Sequence, residues 1–317
     1  MKVILAAPAE GDPQAPLLRQ AAALLERDDF AQADKVLGQV VQSAPLHLQA
    51  LITRGVVLLE LGRPADALAC FQVVAAQNRG DPRGDHNCGV ALMNLGRYAE
   101  ALGRFNRSLA IDKNFVGAIY NRGVCLAALG RSQEAIAAYG EALALNPDHA
   151  EALNNRSVVY QNLGRPQDAL ADLDRAVALR PDEPDLLNNR GNALRLLGRQ
   201  QEALACFERA LAVHPRHVSA HNNRGVALGA LGRLEEALAA FDQAVQLRSD
   251  YAEAHENRGV MRPNSAARPR RPRRSTRPSA SPPAGCAAIT TSPRRAGSRP
   301  TTRASRSWRT SPPTSTR

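Results

Sequence analysis

The chain has 317 residues, of which 44% are hydrophobic and only 4% aromatic, and it carries a formal net charge of +11. The excess positive charge lies in residues 262–317, which contain fourteen Arg and no acidic residue, so the first 261 residues are close to neutral. Any nucleic-acid binding is therefore expected to involve the C-terminal segment alone. No apolar run reaches the ~18 residues that would predict a membrane-spanning helix.

The N-terminal residues 1–13 are predicted to form a loose segment. The apolar stretch that begins at Met1 ends at Pro8 and meets Glu10 and Asp12, which makes it too short for a secretory signal. The five cysteines include no Cys-x-x-Cys pair and no spacing suited to zinc, so reduced, buried thiols are expected. Together these features predict a cytoplasmic protein that is not bound to a membrane.

A strictly periodic region follows this segment. The string Leu-Gly-Arg recurs at constant intervals of 34 residues, at 61–63, 95–97, 129–131, 163–165, 197–199 and 231–233. This frame defines seven units without insertion or deletion, at 14–47, 48–81, 82–115, 116–149, 150–183, 184–217 and 218–251. The match stops after Met261, so residues 252–261 are predicted to be a truncated eighth repeat.

Each unit predicts a helical hairpin, as the fifth unit illustrates. Its first helix is expected from about Glu151 to Asn162, and Gly164 then tolerates the left-handed conformation that ends a helix. Pro166 suits the first turn of the second helix, because a proline loses no hydrogen bond there. This second helix is expected to run to about Leu179.

Four positions of the unit predict how the hairpins pack. The twentieth residue is Ala in all seven units and the eighth is Ala, Gly or Ser, so the helices are expected to approach closely at these positions. The twenty-fourth position holds Leu, Phe or Tyr and the eleventh holds Leu or Tyr. These larger side chains are expected to fill the space around the close contact.

This pattern resembles the tetratricopeptide repeat family. The resemblance rests on the small residues at positions eight and twenty, the frequent aromatic at position twenty-four, and a proline near position 32 in Pro45, Pro147, Pro181 and Pro215. It covers residues 14–261. It implies an all-α fold, a right-handed superhelical solenoid of antiparallel helix pairs, in which the first helices line a concave groove that contacts partner proteins.

A row of asparagines is predicted on the first helices. The sixth position is Asn in six units: Asn87, Asn121, Asn155, Asn189, Asn223 and Asn257. The fifth position is Asn in three consecutive units: Asn154, Asn188 and Asn222. An amide offers one acceptor and two donors, so such a row could bind the backbone of an extended peptide whatever its sequence. The sixth-position residues resemble the asparagine ladder of O-linked N-acetylglucosamine transferases, where such residues hold target polypeptides.

A second interpretation of these asparagines stays open, in which their amides bond to neighbouring helix ends or to the adjacent Arg and join the repeats. Arginine occupies the seventh position in Arg54, Arg122, Arg156, Arg190, Arg224 and Arg258. These guanidinium groups could pair with carboxylates of second helices, such as Asp174, Glu208 and Asp242, or contact an acidic partner. A carboxylate clamp like that of chaperone-binding relatives is not expected, since the chain has only Lys2, Lys35 and Lys113, none on the groove face of a well-matched first helix.

No motif for catalysis or cofactor binding is present in the sequence. There is no phosphate-binding glycine loop, no dinucleotide fingerprint and no Ser–His–acid set that the spacing would support. His214, His217 and His221 cross an inter-repeat turn at Pro215 and read as ordinary variation rather than a metal site. The sequence therefore predicts a protein that is not an enzyme, with no cofactor, no metal and no small-molecule substrate.

Residues 262–317 are predicted to be a disordered tail rich in Arg, Pro, Ser and Thr. Because the tail begins inside a helix, a shift of reading frame is a hypothesis, and shifted codons permit Leu-Gly-Arg where the eighth unit would show it. The leading function is a scaffold that binds an extended polypeptide in the groove. The alternative is the substrate-recognition region of a glycosyltransferase whose catalytic domain is missing, and nucleic-acid binding through the tail is a weaker option.

Overall fold

The computed structural model describes residues 11–261, and all regular secondary structure in that range is α-helical. The described helices fall into two compact units, residues 11–129 and 130–261. The first contains α1 Ala15–Glu26, α2 Phe30–Ser43, α3 Leu48–Glu60, α4 Pro64–Gln77, α5 Pro82–Asn94, α6 Tyr98–Ile111 and α7 Val116–Ala128. The second contains α8 Ser132–Leu145, α9 Ala150–Asn162, α10 Pro166–Leu179, α11 Pro184–Leu196, α12 Gln200–Val213, α13 Val218–Ala230, α14 Leu234–Leu247 and α15 Ala252–Met261.

Within each unit every helix packs against the one that follows it in the chain. The short connections make neighbouring helices antiparallel. First helices of consecutive repeats also touch, as α5 does with α7 in the first unit and α9, α11, α13 and α15 do in succession in the second. The predicted all-α fold of successive helix pairs is therefore confirmed.

The recurring Leu-Gly-Arg string ends the first helix of the second to seventh repeats. After α5 the N–H of Gly96 donates to the carbonyl of Met93, and the N–H of Arg97 donates to that of Leu92, at 2.9 Å each. Gly96 has φ of +72°, a left-handed conformation that glycine adopts without strain from a Cβ. The Arg97 guanidinium then pairs with Glu100 in the first turn of α6 at 2.6 Å. This exposed ion pair contributes little stability, so the string is mainly a backbone signal for the turn.

The expected helix boundaries in the fifth repeat agree with the structure. Helix α9 ends at Asn162 and α10 runs from Pro166 to Leu179, with Pro166 in the first turn. Gly164 has φ of +69°, as the left-handed turn requires.

Within each unit the core lies between paired helices, at the positions that the pattern predicted. The twentieth-position alanines are fully buried in all seven repeats: Ala33, Ala67, Ala101, Ala135, Ala169, Ala203 and Ala237. The twenty-fourth-position side chains are equally buried: Leu37, Phe71, Phe105, Tyr139, Leu173, Phe207 and Phe241. At the eighth position the missing side chain makes room for the ring, since a Cβ on Gly225 would lie 2.6 Å from Cε1 of Phe241.

Several predictions concern residues that the structure does not describe. The looseness of residues 1–10, the disorder of residues 262–317 and the frameshift hypothesis lie outside the described range. Within residues 11–261, none of the helices has the length and apolar character needed to cross a bilayer.

The packing predicts opposite effects for two helical glycine substitutions. Gly225→Ala would force its Cβ into the Phe241 ring, so we expect a loss of stability of about 1–3 kcal/mol. Gly103→Ala on α6 meets no atom within 4 Å. It should raise stability by about 0.5–1 kcal/mol, because alanine favours the helix. Urea denaturation of both variants tests this, and equal effects of the two substitutions would contradict the proposed contact.

Candidate functional site

The candidate site is the surface of the first helices, here called the first-helix face. It consists of the fifth-, sixth-, ninth- and twelfth-position side chains of the first helices, taken separately for the two units. Residues spaced by four and three share one side of an α-helix, so the fifth, ninth and twelfth positions form a single stripe on each first helix. The sixth position lies beside that stripe, on the side of the preceding repeat.

In the second unit the fifth- and sixth-position asparagines form three equivalent hydrogen bonds between neighbouring repeats, here called the amide ladder. Nδ2 of Asn189 donates to Oδ1 of Asn154 at 2.8 Å. The same bond joins Asn223 to Asn188 at 2.9 Å, and Asn257 to Asn222 at 3.0 Å. Each bond joins residues 35 positions apart, from the sixth position of one repeat to the fifth position of the repeat before it.

The amide ladder has an inner row at the fifth position and an outer row at the sixth. Asn188 and Asn222 of the inner row are only 7% and 0% exposed, whereas Asn154 of the inner row is half-buried, as are Asn189, Asn223 and Asn257 of the outer row. Within residues 11–261 the ladder bonds use one N–H of each outer amide. Each outer amide therefore keeps its second N–H and its carbonyl oxygen, and the bond to the inner row restrains its orientation.

In the first unit a histidine takes the place of the inner asparagine. Nδ2 of Asn121 lies 3.1 Å from Nε2 of His86, the fifth-position residue of the preceding repeat. On the other side of the ring, Nδ1 of His86 lies 3.4 Å from Oδ1 of Asn87. His86 and Asn121 are both buried, so the bond requires a neutral imidazole with Nε2 as acceptor. Asn87 and Asn155, the remaining predicted residues, are half-buried on α5 and α9.

These contacts refine the second interpretation of the asparagines. The amides do join neighbouring repeats, but their partners are side chains of adjacent first helices rather than helix ends or the adjacent arginines. Joining repeats uses part of the hydrogen-bonding capacity of each outer amide. Peptide binding by the same residues therefore stays a prediction.

The seventh-position arginines pair with carboxylates of second helices, as one of the two interpretations held. Four of the pairs link a repeat to the one before it: Arg54 to Asp34 at 2.8 Å, Arg190 to Asp174 at 2.7 Å, Arg224 to Glu208 at 3.7 Å, and Arg258 to Asp242 at 2.9 Å. Arg156 binds Asp172 of its own repeat through two hydrogen bonds of 2.7 Å. In these repeats the arginine charge is already compensated, which argues against a role in binding an acidic partner.

The histidines at the last position of a repeat cap the following first helix, a role that the sequence analysis missed. Nδ1 of His217 accepts the N–H of Ala220 at 3.1 Å, and His47 and His149 do the same at the start of α3 and α9. Nε2 of His217 lies 3.1 Å from Asp185, and Nε2 of His221 lies 2.9 Å from the Pro215 carbonyl. Their recurrence at one repeat position was the available signal. Among the described residues no three potential ligands group together around a metal position.

The amide ladder predicts an energetic coupling between its two rows. In a double-mutant cycle, Asn188→Ala and Asn223→Ala should be coupled by about 1 kcal/mol, the usual net worth of a protein hydrogen bond. Urea unfolding of the two single variants and the double variant measures the coupling. As a control, Asn162 is exposed at the end of α9, so Asn162→Ala should be additive with Asn223→Ala. Additivity in both cycles would show that the ladder bond contributes nothing.

His86 predicts a pH dependence of stability. Burial lowers the pKa of His86 to about 4 from its ordinary 6.5, while hydrogen bonds to Asn87 and Gly117 act in the opposite direction. Between these values the unfolded chain binds the proton and the folded chain does not, so stability falls as the pH drops through this window. His86→Asn introduces the residue of the later repeats and keeps an acceptor for Asn121. Its urea midpoint should fall less than that of the wild type between about pH 7 and about pH 4.5, and parallel losses would contradict this role of His86.

Profiles of the tetratricopeptide repeat family match the sequence. One matches residues 18–82 and 189–252, and a second matches residues 115–182 and 148–216. Together they cover more than half of the chain. Among curated proteins no significant match was found.

Solved structures of tetratricopeptide repeat proteins share this fold. A repeat protein from Parabacteroides merdae ATCC 43184 aligns with 79% of this chain and 99% of its own, at 17% identity and a TM-score of 0.63. YrrB, described as having an unusual peptide-binding site, aligns with 60% of this chain and 97% of its own, at 24% identity and a TM-score of 0.51. A chain of the APC/C hetero-tetramer Cut9–Hcn1 aligns with 80% of this chain and 50% of its own, at 21% identity and a TM-score of 0.58.

These identities are too low to transfer a function, but the fold, the repeat period and the profile matches agree. The chain belongs to the tetratricopeptide repeat family.

Proposed function

We propose that this protein is a non-catalytic scaffold whose first-helix face binds an extended segment of another polypeptide. The observation that carries the proposal is the amide ladder of the second unit. Its three outer amides, Asn189, Asn223 and Asn257, are half-buried, fixed in orientation and still able to donate and accept. Such groups match the alternating N–H and C=O groups of a peptide backbone.

The spacing of the ladder suits an extended chain. Packed helices lie about 8–10 Å apart, and an extended peptide advances about 3.3–3.6 Å per residue. One outer amide would therefore meet the bound backbone at about every second or third residue. Because backbone groups are the same for all residues, this arrangement favours binding with little dependence on the sequence of the partner.

In this proposal the two rows of the ladder have different tasks. The outer amides contact the peptide, and Asn154, Asn188 and Asn222 orient them by accepting one N–H each. Pre-oriented polar groups lose less conformational entropy on binding than mobile ones, which improves affinity. Direct peptide contacts of Asn87 and Asn155 remain part of the same prediction, whereas Asn121 is buried beside His86.

The family supports this proposal without establishing it. YrrB, a repeat protein of similar fold, is described as having a peptide-binding site. The partner class is accordingly proposed to be a protein or peptide.

Substitution of two outer amides tests the proposal. We expect Asn189→Ala/Asn223→Ala to weaken binding of a fluorescent pool of acetylated, amidated nonapeptides about tenfold or more, because two backbone contacts are lost. Fluorescence anisotropy with full-length protein gives the affinity. Circular dichroism shows whether the variant keeps its helices.

Asn106→Ala is the matched control, because Asn106 is an exposed asparagine on α6, a second helix. It should bind the pool as the wild type does. Unchanged binding by the ladder variant, or no binding of the pool by the wild type, would refute the proposal.

A further inference from the structure

The eighth and twenty-fourth positions of the repeat vary together along the chain. Where the eighth residue is glycine, the residue sixteen positions later is aromatic: Gly55–Phe71, Gly89–Phe105, Gly123–Tyr139, Gly191–Phe207 and Gly225–Phe241. Where the eighth residue carries a side chain, the later residue is leucine: Ala21–Leu37 and Ser157–Leu173. The residue at position eight therefore specifies the size of the side chain that packs on it.

The contact distances give the physical reason for this rule. A Cβ added to Gly191 would lie 2.4 Å from Cε1 of Phe207, and a Cβ added to Gly55 would lie 2.4 Å from Cε1 of Phe71. Side chains do not approach each other so closely, so the aromatic ring fits only where the opposing residue is glycine. An alanine or a serine at that position leaves room for the smaller leucine.

Gly259 of α15 occupies the eighth position of the truncated repeat, but its surroundings differ from those of the other glycines. Gly191 and Gly225 of the two preceding repeats are buried, whereas Gly259 is exposed, and a Cβ on it would meet no described atom within 4 Å. Val260 beside it is 69% exposed, while the ninth-position valines of the other repeats are buried or half-buried. Within residues 130–261, α15 packs on α13 and α14. The side of α15 around Gly259 is therefore open in the part of the chain that the structure describes.

The sequence that follows α15 lacks the residues of a second helix. Ser275 stands sixteen residues after Gly259, where the other repeats with glycine have Phe or Tyr. Residues 262–317 contain only two large apolar residues, Ile289 and Trp308. Their longest stretch without proline has 11 residues, which is shorter than the 14-residue second helices. These features favour an occupant from another polypeptide.

We propose that the side of α15 around Gly259 binds an amphipathic helix of another protein, and that this helix packs an aromatic side chain on Gly259. The bound helix lies beside α15 as α14 lies beside α13, so it continues the contact that joins the helix pairs of the fold. It carries a small residue four positions before the aromatic one, as Ala237 precedes Phe241, because residues at this spacing share one side of a helix. The surface does not use the residues of the amide ladder, so the inference goes beyond the proposed function.

A helical peptide with the sequence of α14 tests the proposal. The first probe is residues 233–248, acetylated, amidated and held helical by a lactam on the side away from Phe241, because an isolated helix of this length is marginal in water. The second probe is the same peptide with Phe241→Leu. Fluorescence anisotropy with the full-length protein should show that the wild type binds the Phe probe about tenfold more tightly than the Leu probe.

Gly259→Ala should remove this preference. The added Cβ meets no described atom within 4 Å and alanine favours a helix, so the variant should keep its fold. It should bind the Phe probe about tenfold more weakly than the wild type does, because the methyl group occupies the space of the ring. It should bind the Leu probe at least as tightly as the Phe probe, in the way that Ala21 accommodates Leu37.

Gly103→Ala is the matched control, because its Cβ also meets no atom within 4 Å, and it should leave both affinities unchanged. Gly259→Ser copies the pairing of Ser157 with Leu173 and gives a second test if Gly259→Ala does not fold. Failure of the wild type to bind the Phe probe, equal affinity for the two probes, or unchanged binding of the Phe probe by Gly259→Ala would overturn the proposal.

Sedimentation velocity distinguishes the other occupant. If the wild type self-associates and Gly259→Ala is monomeric, a second copy of the chain covers α15 and the proposal of a different partner protein is wrong. The ladder variant Asn189→Ala/Asn223→Ala should bind both helical probes as the wild type does. Failure of this inference is therefore distinguishable from failure of the proposed function, which is measured with the nonapeptide pool.

Discussion

The structure depends on the contact between a large side chain of each second helix and a residue with little or no side chain on the first helix. In the sixth repeat, Cε1 of Phe207 lies 2.4 Å from where a Cβ on Gly191 would be. The ring therefore packs on the backbone of α11 itself, and the separation of the two helices is set by that backbone rather than by an adjustable side chain. Since the same contact recurs in Gly55–Phe71, Gly89–Phe105 and Gly225–Phe241, these hairpins have the same register.

A constant register explains why the polar contacts between repeats are also periodic. Each ladder bond joins residues 35 positions apart, and so does the contact between His86 and Asn121. The partner is an amide in the second unit and an imidazole in the first, yet the two residues are 35 positions apart in both. The packing of the first helices therefore brings these two positions together, and different residue types can form the contact. Amides that are aligned by packing in this way are ordered before any ligand arrives.

The periodic pattern also makes residues that depart from it easy to recognise. An arginine at the seventh position is unremarkable here, because the carboxylate that compensates it recurs with the same period, as in the pairs of Arg190 and Arg258. Arg195 has no such counterpart, and Asn192 stands where six other repeats have valine.

The sequence by itself determined the period, the helix ends and the core positions, because these follow from local rules: Gly164 ends a helix, Pro166 begins one, and Ala169 and Leu173 face inward. It also placed the asparagines on one side of the first helices. Only the tertiary structure decided what each amide contacts, since the partners of Asn189 and Asn223 lie on the preceding repeat and depend on the angle and distance between packed helices. The same holds for the capping histidines, because hydrogen bonds depend on atomic distances that a residue pattern does not specify.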